Sequence, residues 1–88
     1  MTYLLRFTPG AAKQLAKLDK QHSTRIRAFL EGLDLENPRS KGRALVGEGS
    51  FWRYRVGDYR IIAHISEREF LVLVVAMGHR REIYRGSR

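Results

Sequence analysis

The sequence predicts a single small α+β domain over residues 1–88, with the element order β-α-α-β-β-β and two N-terminal helices packed on one face of an antiparallel sheet. Helical periodicity is confined to the first half of the chain, whereas β-branched and aromatic runs fill the second half. Gly57-Asp58, between two such runs, is typical of a two-residue hairpin turn. Because the chain contains no cysteine, a disulfide scaffold, a zinc ribbon and a thiol nucleophile are excluded.

The N-terminal half predicts a strand followed by two amphipathic helices. The strand covers residues 3–7 and ends where Thr8 caps a helix that has Pro9 at its first position. This first helix is expected to run for about three turns, the length its apolar spacing supports. The second helix is expected over residues 23–36 and to end at Asn37-Pro38. Its apolar stripe consists of Ile26, Phe29, Leu30 and Leu33.

The C-terminal half predicts a loop and three strands. Residues 39–49 are rich in glycine and basic side chains, as is typical of a loop. Strands are expected over residues 51–56, 59–65 and 70–77. Since the last of them is apolar at consecutive positions, we expect it in the interior of the sheet and covered on both faces.

The hairpin turn fixes which side chains share a face. With Gly57-Asp58 as the turn, Arg55 lies opposite Arg60, and Arg53 lies on the same face two residues away. Like charges directly opposite each other cost about 0.2–1 kcal/mol, which favours a functional reason for the cluster. The other face is predicted to be core, which argues against its aromatic side chains stacking on nucleic acid bases. Those side chains are Trp52, Tyr54 and Tyr59.

The charge predicts an anionic partner. The chain carries 17 Lys and Arg against 9 Asp and Glu, a net charge of +8, and 13 of its basic residues are arginine. Arginine's planar fork suits phosphate and carboxylate better than lysine does. The longest apolar run is residues 70–77, too short to cross a membrane, and residues 1–5 lack a basic leader, so we expect a cytoplasmic protein without a membrane association.

Several kinds of chemistry are excluded by missing patterns. The glycines fit neither a P-loop nor a dinucleotide-binding fingerprint, and Ser50 has no His and Asp partners for a triad. No histidine and carboxylate spacing suggests a metal site, so we expect neither metal nor cofactor. A second basic cluster follows the last strand over residues 78–85, and its His79 is the ring expected to carry a proton near neutral pH.

Two motifs resemble the RelE/ParE toxin superfamily, and the resemblance covers nearly the whole chain. One is Trp-Arg-Tyr-Arg-Val-Gly-Asp-Tyr-Arg-Ile over residues 52–61, and the other is Gly-His-Arg-Arg-Glu-Ile-Tyr over residues 78–84. Both are closer to the RelE branch than to the gyrase-poisoning ParE branch. The resemblance implies a RelE-like fold and the toxin of a type II toxin–antitoxin system. It further implies an endoribonuclease that cleaves mRNA in the ribosomal A site without a metal.

The resemblance also implies a site. Catalytic roles fall on Arg53, Arg55, Arg60, Arg80 and Tyr84, with His79 beside them, and RNA contacts are expected from Lys41, Arg43, Arg81 and Arg85. The familiar RelE pattern has lysines where this chain has Arg53 and Arg55. Arginine keeps its proton, so these two residues are expected to bind the substrate and stabilise its charge. The general base is then expected to be Tyr84, His79 or a group of the ribosome.

The implied partners are a cognate acidic antitoxin, mRNA with the ribosome, and operator DNA bound only by the toxin–antitoxin complex. Three alternatives stay open from the sequence. One is a ParE-like inhibitor of DNA gyrase, the second a catalytically weak toxin, and the third a basic nucleic-acid-binding module.

Overall fold

The computed structural model describes residues 2–45 and 50–79, and within them a mixed five-stranded sheet carries two helices. The order of the strands in the sheet is β1-β5-β4-β3-β2. The elements are β1 (Leu4–Phe7), α1 (Pro9–Lys17), α2 (Lys20–Glu31), a short 3-10 turn (Pro38–Ser40), β2 (Arg43–Ala44), β3 (Phe51–Val56), β4 (Tyr59–Ser66) and β5 (Leu71–His79). The α+β class and the predicted order of elements are confirmed, and the short β2 is added to them.

The expectation of an antiparallel sheet is wrong for one pair of strands. β1 runs parallel to β5, with Leu4 opposite Leu71 and Phe7 opposite Val74, whereas the remaining neighbours are antiparallel. The two helices carry the chain from β1 to β2 at the opposite edge of the sheet, and the antiparallel strands then return it until β5 lies beside β1. This long-range pairing is encoded by no local pattern. β5 is interior as predicted, but its second face is only half-buried rather than covered.

The helix boundaries follow local capping signals. The Ala11 N–H donates to Thr8 Oγ1 at 3.1 Å, which confirms Thr8 as the cap of α1. α2 begins and ends earlier than predicted, because Asp19 precedes it in an extended conformation and Gly32 follows its last turn. Glycine weakens a helix by about 1 kcal/mol relative to alanine, so it ends α2 before Asn37-Pro38 is reached.

The hairpin of β3 and β4 has the predicted register at every pair. Arg55 lies opposite Arg60 and Tyr54 opposite Ile61. Gly57 has φ +60°, as the first position of a type II′ turn requires.

The core lies between the helices and one face of the sheet. Tyr54 is fully buried there, its ring centroid 5.7 Å from that of Phe29, and its hydroxyl donates to Pro38 O at 2.5 Å. Trp52 and Tyr59 pack against the same core, so these two rings and Tyr54 lie on the core face as predicted. Across residues 2–45 and 50–79, neither helix has the length and apolar character needed to cross a membrane.

Burial raises the pKa of the Tyr54 phenol to about 12, against the lowering effect of Arg39. The raised pKa means that the folded state prefers the protonated phenol. The stabilisation, on the order of 2–3 kcal/mol, is therefore complete below pH 10 and is lost as the pH rises toward 12. An ultraviolet titration should show one tyrosine that ionises at a higher pH than the others, and this step should be missing in Tyr54→Phe. Identical titration curves for the two proteins would contradict the assignment.

Gly42→Ala should lower the free energy of unfolding by more than about 1 kcal/mol. Gly42 has φ +82°, and a Cβ there would lie 2.4 Å from Arg53 O and 2.6 Å from Trp52 Nε1. Gly10→Ala is the matched control, since its Cβ would meet nothing within 4 Å, and it should be neutral or stabilising by up to about 1 kcal/mol. Denaturant unfolding measures both, and equal effects would show that the Gly42 backbone is not constrained.

Candidate functional site

The sheet face turned away from the helices carries two pairs of arginines. Arg43 lies directly opposite Arg53, and Arg55 lies directly opposite Arg60. Residues opposite each other share a face, as do residues two apart on one strand, so all four side chains point to the same side. Each pair of like charges costs the fold about 0.2–1 kcal/mol.

These arginines line a cleft of about 500 Å³, here called the arginine cleft. Its lining residues are Phe29, Lys41, Gly42, Arg43, Arg53, Arg55 and Arg60. Among the described residues, no acidic side chain lines it. Five of the candidate site residues predicted from the sequence therefore line one basic cleft. They are Lys41, Arg43, Arg53, Arg55 and Arg60. Phe29 of α2 was expected only in the apolar stripe of that helix. It lines the cleft next to Lys41, whose Nζ is 5.8 Å from the Phe29 ring centroid, at the β2 edge of the sheet.

The Lys41–Arg43 segment is held against β3 by close backbone contacts. Trp52 Nε1 donates to Lys41 O at 2.6 Å, and the left-handed conformation of Gly42 lets its backbone approach Arg53 O. These contacts position Arg43 to pair with Arg53. The sequence offered only the glycine as a signal, because a two-residue strand has no recognisable periodicity.

Arg60 is the deepest cation of the arginine cleft. It is only 8% exposed, and its Nε and Nη1 have no hydrogen-bond partner among the described residues. Gly78 lies opposite Arg60 on β5 and adds no side chain to that face of the sheet. A guanidinium is a charged donor group, and two of its donor nitrogens are buried here without a hydrogen bond. Leaving a charged donor buried and unpaired costs more than about 1–3 kcal/mol, and an anion in the cleft would satisfy it.

The other two arginines on β3 are nearer to solvent. Arg55 is exposed and its Nε donates to Gly57 O at 3.3 Å, which ties its stem to the hairpin turn. Arg53 is half-buried. The ion pair of Arg39 with Glu67, at 3.5 Å, lies outside the cleft lining. The cleft thus presents a deep cation with more accessible cations around it.

The structure does not bring His79 to the arginine cleft. β5 extends two residues further than predicted, and alternation places His79 opposite Tyr59, on the helix side of the sheet. The ring centroids of Tyr59 and His79 are 5.8 Å apart, and His22 packs on the same tyrosine at 4.8 Å. A hydrogen bond from His22 lowers the pKa of the Asp19 carboxyl.

Four other residues named from the sequence lie outside the described residues: Arg80, Arg81, Tyr84 and Arg85.

The arginine cleft can bind a polyanion and stabilise added negative charge. Guanidinium groups donate hydrogen bonds to phosphate oxygens in a fixed fork, and they interact more strongly where water is partly excluded. They do not accept a proton, so the described part of the cleft supplies no general base. Across the described ranges, the His, Asp and Glu side chains form no group of three that could hold a metal ion.

Comparison with known proteins identifies the class. Residues 5–84 match the family described as the ParE toxin of the type II toxin–antitoxin system parDE. Toxin RelG of Mycobacterium tuberculosis is 32% identical over 87 residues, which cover 97% of this chain and 99% of that protein.

Solved structures agree with this match. A chain of the toxin–antitoxin complex RelBE2 from Mycobacterium tuberculosis superposes with a TM-score of 0.78 at 29% identity, covering 91% of this chain and 93% of that one. A mutant of the Escherichia coli toxin RelE in the free state gives 0.79 at 25% identity, covering 97% and 93%. The fold is thus that of toxins from type II toxin–antitoxin systems. The chain belongs to the RelE/ParE superfamily of toxins from toxin–antitoxin systems.

Arg60→Met should raise the free energy of unfolding by about 1–3 kcal/mol, because an apolar side chain of similar length replaces a buried charge with unpaired donors. Denaturant unfolding at constant salt measures this change. Arg68→Met is the matched control in the exposed turn before β5 and should stay within about 0.5 kcal/mol of the parent. A marked loss of stability in Arg60→Met would show that Arg60 is a structural residue.

Proposed function

We propose that this toxin is a metal-independent endoribonuclease that cleaves mRNA in the ribosomal A site and thereby stops translation. The observation that carries the proposal is the buried guanidinium of Arg60, which faces a cleft of cations with two unpaired donors. A fold under selection for stability alone would replace such a group with an apolar side chain. The RelE-type relatives support the same reading, since they share fold and sequence over nearly the whole chain.

The proposed reaction is an internal transesterification of RNA. The 2′-oxygen attacks the adjacent phosphorus while the bond to the 5′-oxygen breaks, leaving a 2′,3′-cyclic phosphate and a 5′-hydroxyl. The proton of the 2′-hydroxyl passes to a base, and the leaving 5′-oxygen takes up a proton. No water and no cofactor is consumed, so the site must supply a base, charge stabilisation and help to the leaving group.

The cleft arginines fit the charge-stabilising part of this reaction. Arg60 and Arg53 hold the scissile phosphate, and Arg55 neutralises the charge that develops on its oxygens. Arg80, outside the described residues, assists the leaving oxygen. His79 was the other candidate for that role, and its place on the helix side of the sheet counts against it.

The base must come from elsewhere. Arginines stand where the familiar RelE pattern has lysines, and a guanidinium does not give up its proton at neutral pH. Tyr84, or a group of the ribosome, is the proposed base. Tyr84 is also proposed to stack on or orient a nucleobase, and Arg81 and Arg85 to contact the RNA backbone.

We also propose that a cognate antitoxin restrains the toxin. The similar proteins from Mycobacterium tuberculosis and Pyrococcus horikoshii were solved as complexes with their antitoxins. The net charge of +8 predicts an acidic partner that folds on the toxin, and the complex rather than the toxin is proposed to bind operator DNA.

Replacing Arg60 or Arg80 with alanine should lower translation-dependent mRNA cleavage by about 10²–10³-fold, since each removes one electrostatic stabiliser. Cleavage is measured by mapping new 5′ ends of transcripts after induction in cells. Arg68 is an exposed arginine that does not line the cleft, so Arg68→Ala is the control and should cleave like the parent. Parental activity in both cleft variants would refute the assignment.

A second candidate function is inhibition of DNA gyrase, which the ParE description of the matched family favours. Such a protein would need neither the paired arginines nor Tyr84. Protein synthesis and DNA supercoiling, assayed separately after induction, distinguish the two functions. Loss of supercoiling with translation intact would favour gyrase.

A further inference from the structure

The sheet face turned away from the helices, here called the open face, carries an aromatic pair beside the arginine cleft. Phe51 on β3 lies directly opposite His64 on β4, and their ring centroids are 5.3 Å apart with the ring planes at 68°. Alternation along β3 puts Phe51 on the same face as Arg53, two residues and about 6.4–6.8 Å away. Both rings are half-buried, so each keeps part of its surface accessible. Neither side chain lines the cleft or belongs to the core.

The aromatic pair is part of an apolar row that crosses three strands. His64 also lies opposite Leu73 on β5, which is half-buried on the same face. Neighbouring strands are about 4.7–4.9 Å apart, so the row from Phe51 to Leu73 spans about 9–10 Å. Ile62, half-buried between Arg60 and His64 on β4, connects the row to the cleft. The open face therefore joins a flat apolar surface to a group of cations.

We propose that this surface is a nucleobase subsite for single-stranded RNA, in which Phe51 stacks on the base and His64 hydrogen-bonds to its edge. The base belongs to a nucleotide whose phosphate lies in the arginine cleft, and this placement rests on the proposed function. Stacking contributes affinity for any base, because every base has a π face. His64 contributes preference among bases, because its ring nitrogens donate to or accept from particular groups on the base edge.

A nucleotide matches this surface better than an acidic peptide, the other ligand that combines negative charge with apolar groups. A nucleotide joins one anion to one flat ring through a sugar, and β3 presents a cation and an aromatic ring in the same order, at Arg53 and Phe51. Within residues 2–45 and 50–79, no hydrogen bond reaches the ring nitrogens of His64. An aliphatic side chain packed there would leave these nitrogens without a partner, whereas a base edge supplies one. Open sheet faces that bind RNA likewise stack bases on aromatic side chains.

The test uses a 2′-O-methyl RNA trinucleotide, which cannot be cut because its 2′-oxygens are methylated. Three further versions lack the base at the first, second or third nucleotide. The parent toxin should bind one abasic version about fivefold or more weakly than the complete RNA, with smaller losses for the other two. NMR titrations give these affinities. The ring signals of Phe51 should move upfield only with RNAs that retain the base in question.

Three variants separate the roles of the two rings. Phe51→Leu should bind the complete RNA as weakly as that abasic version, and Phe51→Tyr, which keeps an aromatic ring, should bind like the parent. His64→Leu should level the affinities for RNAs that carry adenine, guanine, cytosine or uracil at that position. Phe70→Leu is the matched control and should bind like the parent, because the exposed Phe70 ring packs on Tyr3 outside the row.

Equal affinities of the parent for the complete RNA and all three abasic versions would overturn the proposal, and this comparison does not depend on the folding of any variant. A loss in Phe51→Leu that is the same for complete and abasic RNAs would also overturn it, since the role of Phe51 would then be structural. Tighter binding of a decapeptide of alternating leucine and glutamate than of the complete RNA would overturn it in favour of a protein ligand.

Binding of these uncut RNAs is measured separately from cleavage. If one base contributes affinity through Phe51 but transcripts are not cut in cells, the nucleobase subsite stands and the proposed function fails. If transcripts are cut but no base contributes through Phe51, the subsite fails and the proposed function stands.

Discussion

The register of the β3–β4 hairpin is the constraint on which the rest of the structure depends. It turns the side chains of Tyr54 and Ile61 toward the helices and those of Arg55 and Arg60 to the other side. A slip of one residue would exchange the two faces, burying guanidinium groups in the core and exposing aromatic rings. The core of this small domain and its basic cleft are therefore fixed by the same set of hydrogen bonds.

The arginine face is kept at a cost in stability. Two pairs of like charges oppose each other across neighbouring strands, and Arg60 is buried with unpaired donors. The fully buried side chains on the opposite face, with Tyr54 bonded to Pro38 O, supply stabilisation that offsets this cost. A bound phosphate would neutralise the repulsion and satisfy the donors, so the site is most favourable when occupied. That property suits a protein whose task is to hold a polyanion.

Because residues 53 and 55 are arginines, the residues that bind the phosphate are separate from the group that accepts the proton. A cleft of lysines could release a proton from one of them when it is desolvated among cations, but a cleft of arginines stays fully charged. His79 lies on the other face of the sheet, beside Tyr59, and so does not supply the general base that the arginines lack. The proposed chemistry accordingly assigns the base to the C-terminal segment or to the ribosome, with the sheet as a rigid cationic support.

The sequence by itself determined the features that depend on neighbours along the chain. The Gly57-Asp58 turn fixes the hairpin register, Thr8 fixes the start of α1, and alternation therefore places Arg53, Arg55 and Arg60 on one face. Only the tertiary structure decided the parallel pairing of β1 with β5, the docking of Arg43 beside Arg53, and the far-side position of His79. Each of these depends on where separate segments meet in space, and a strand's length or partner is set by packing across the sheet rather than by its own residues.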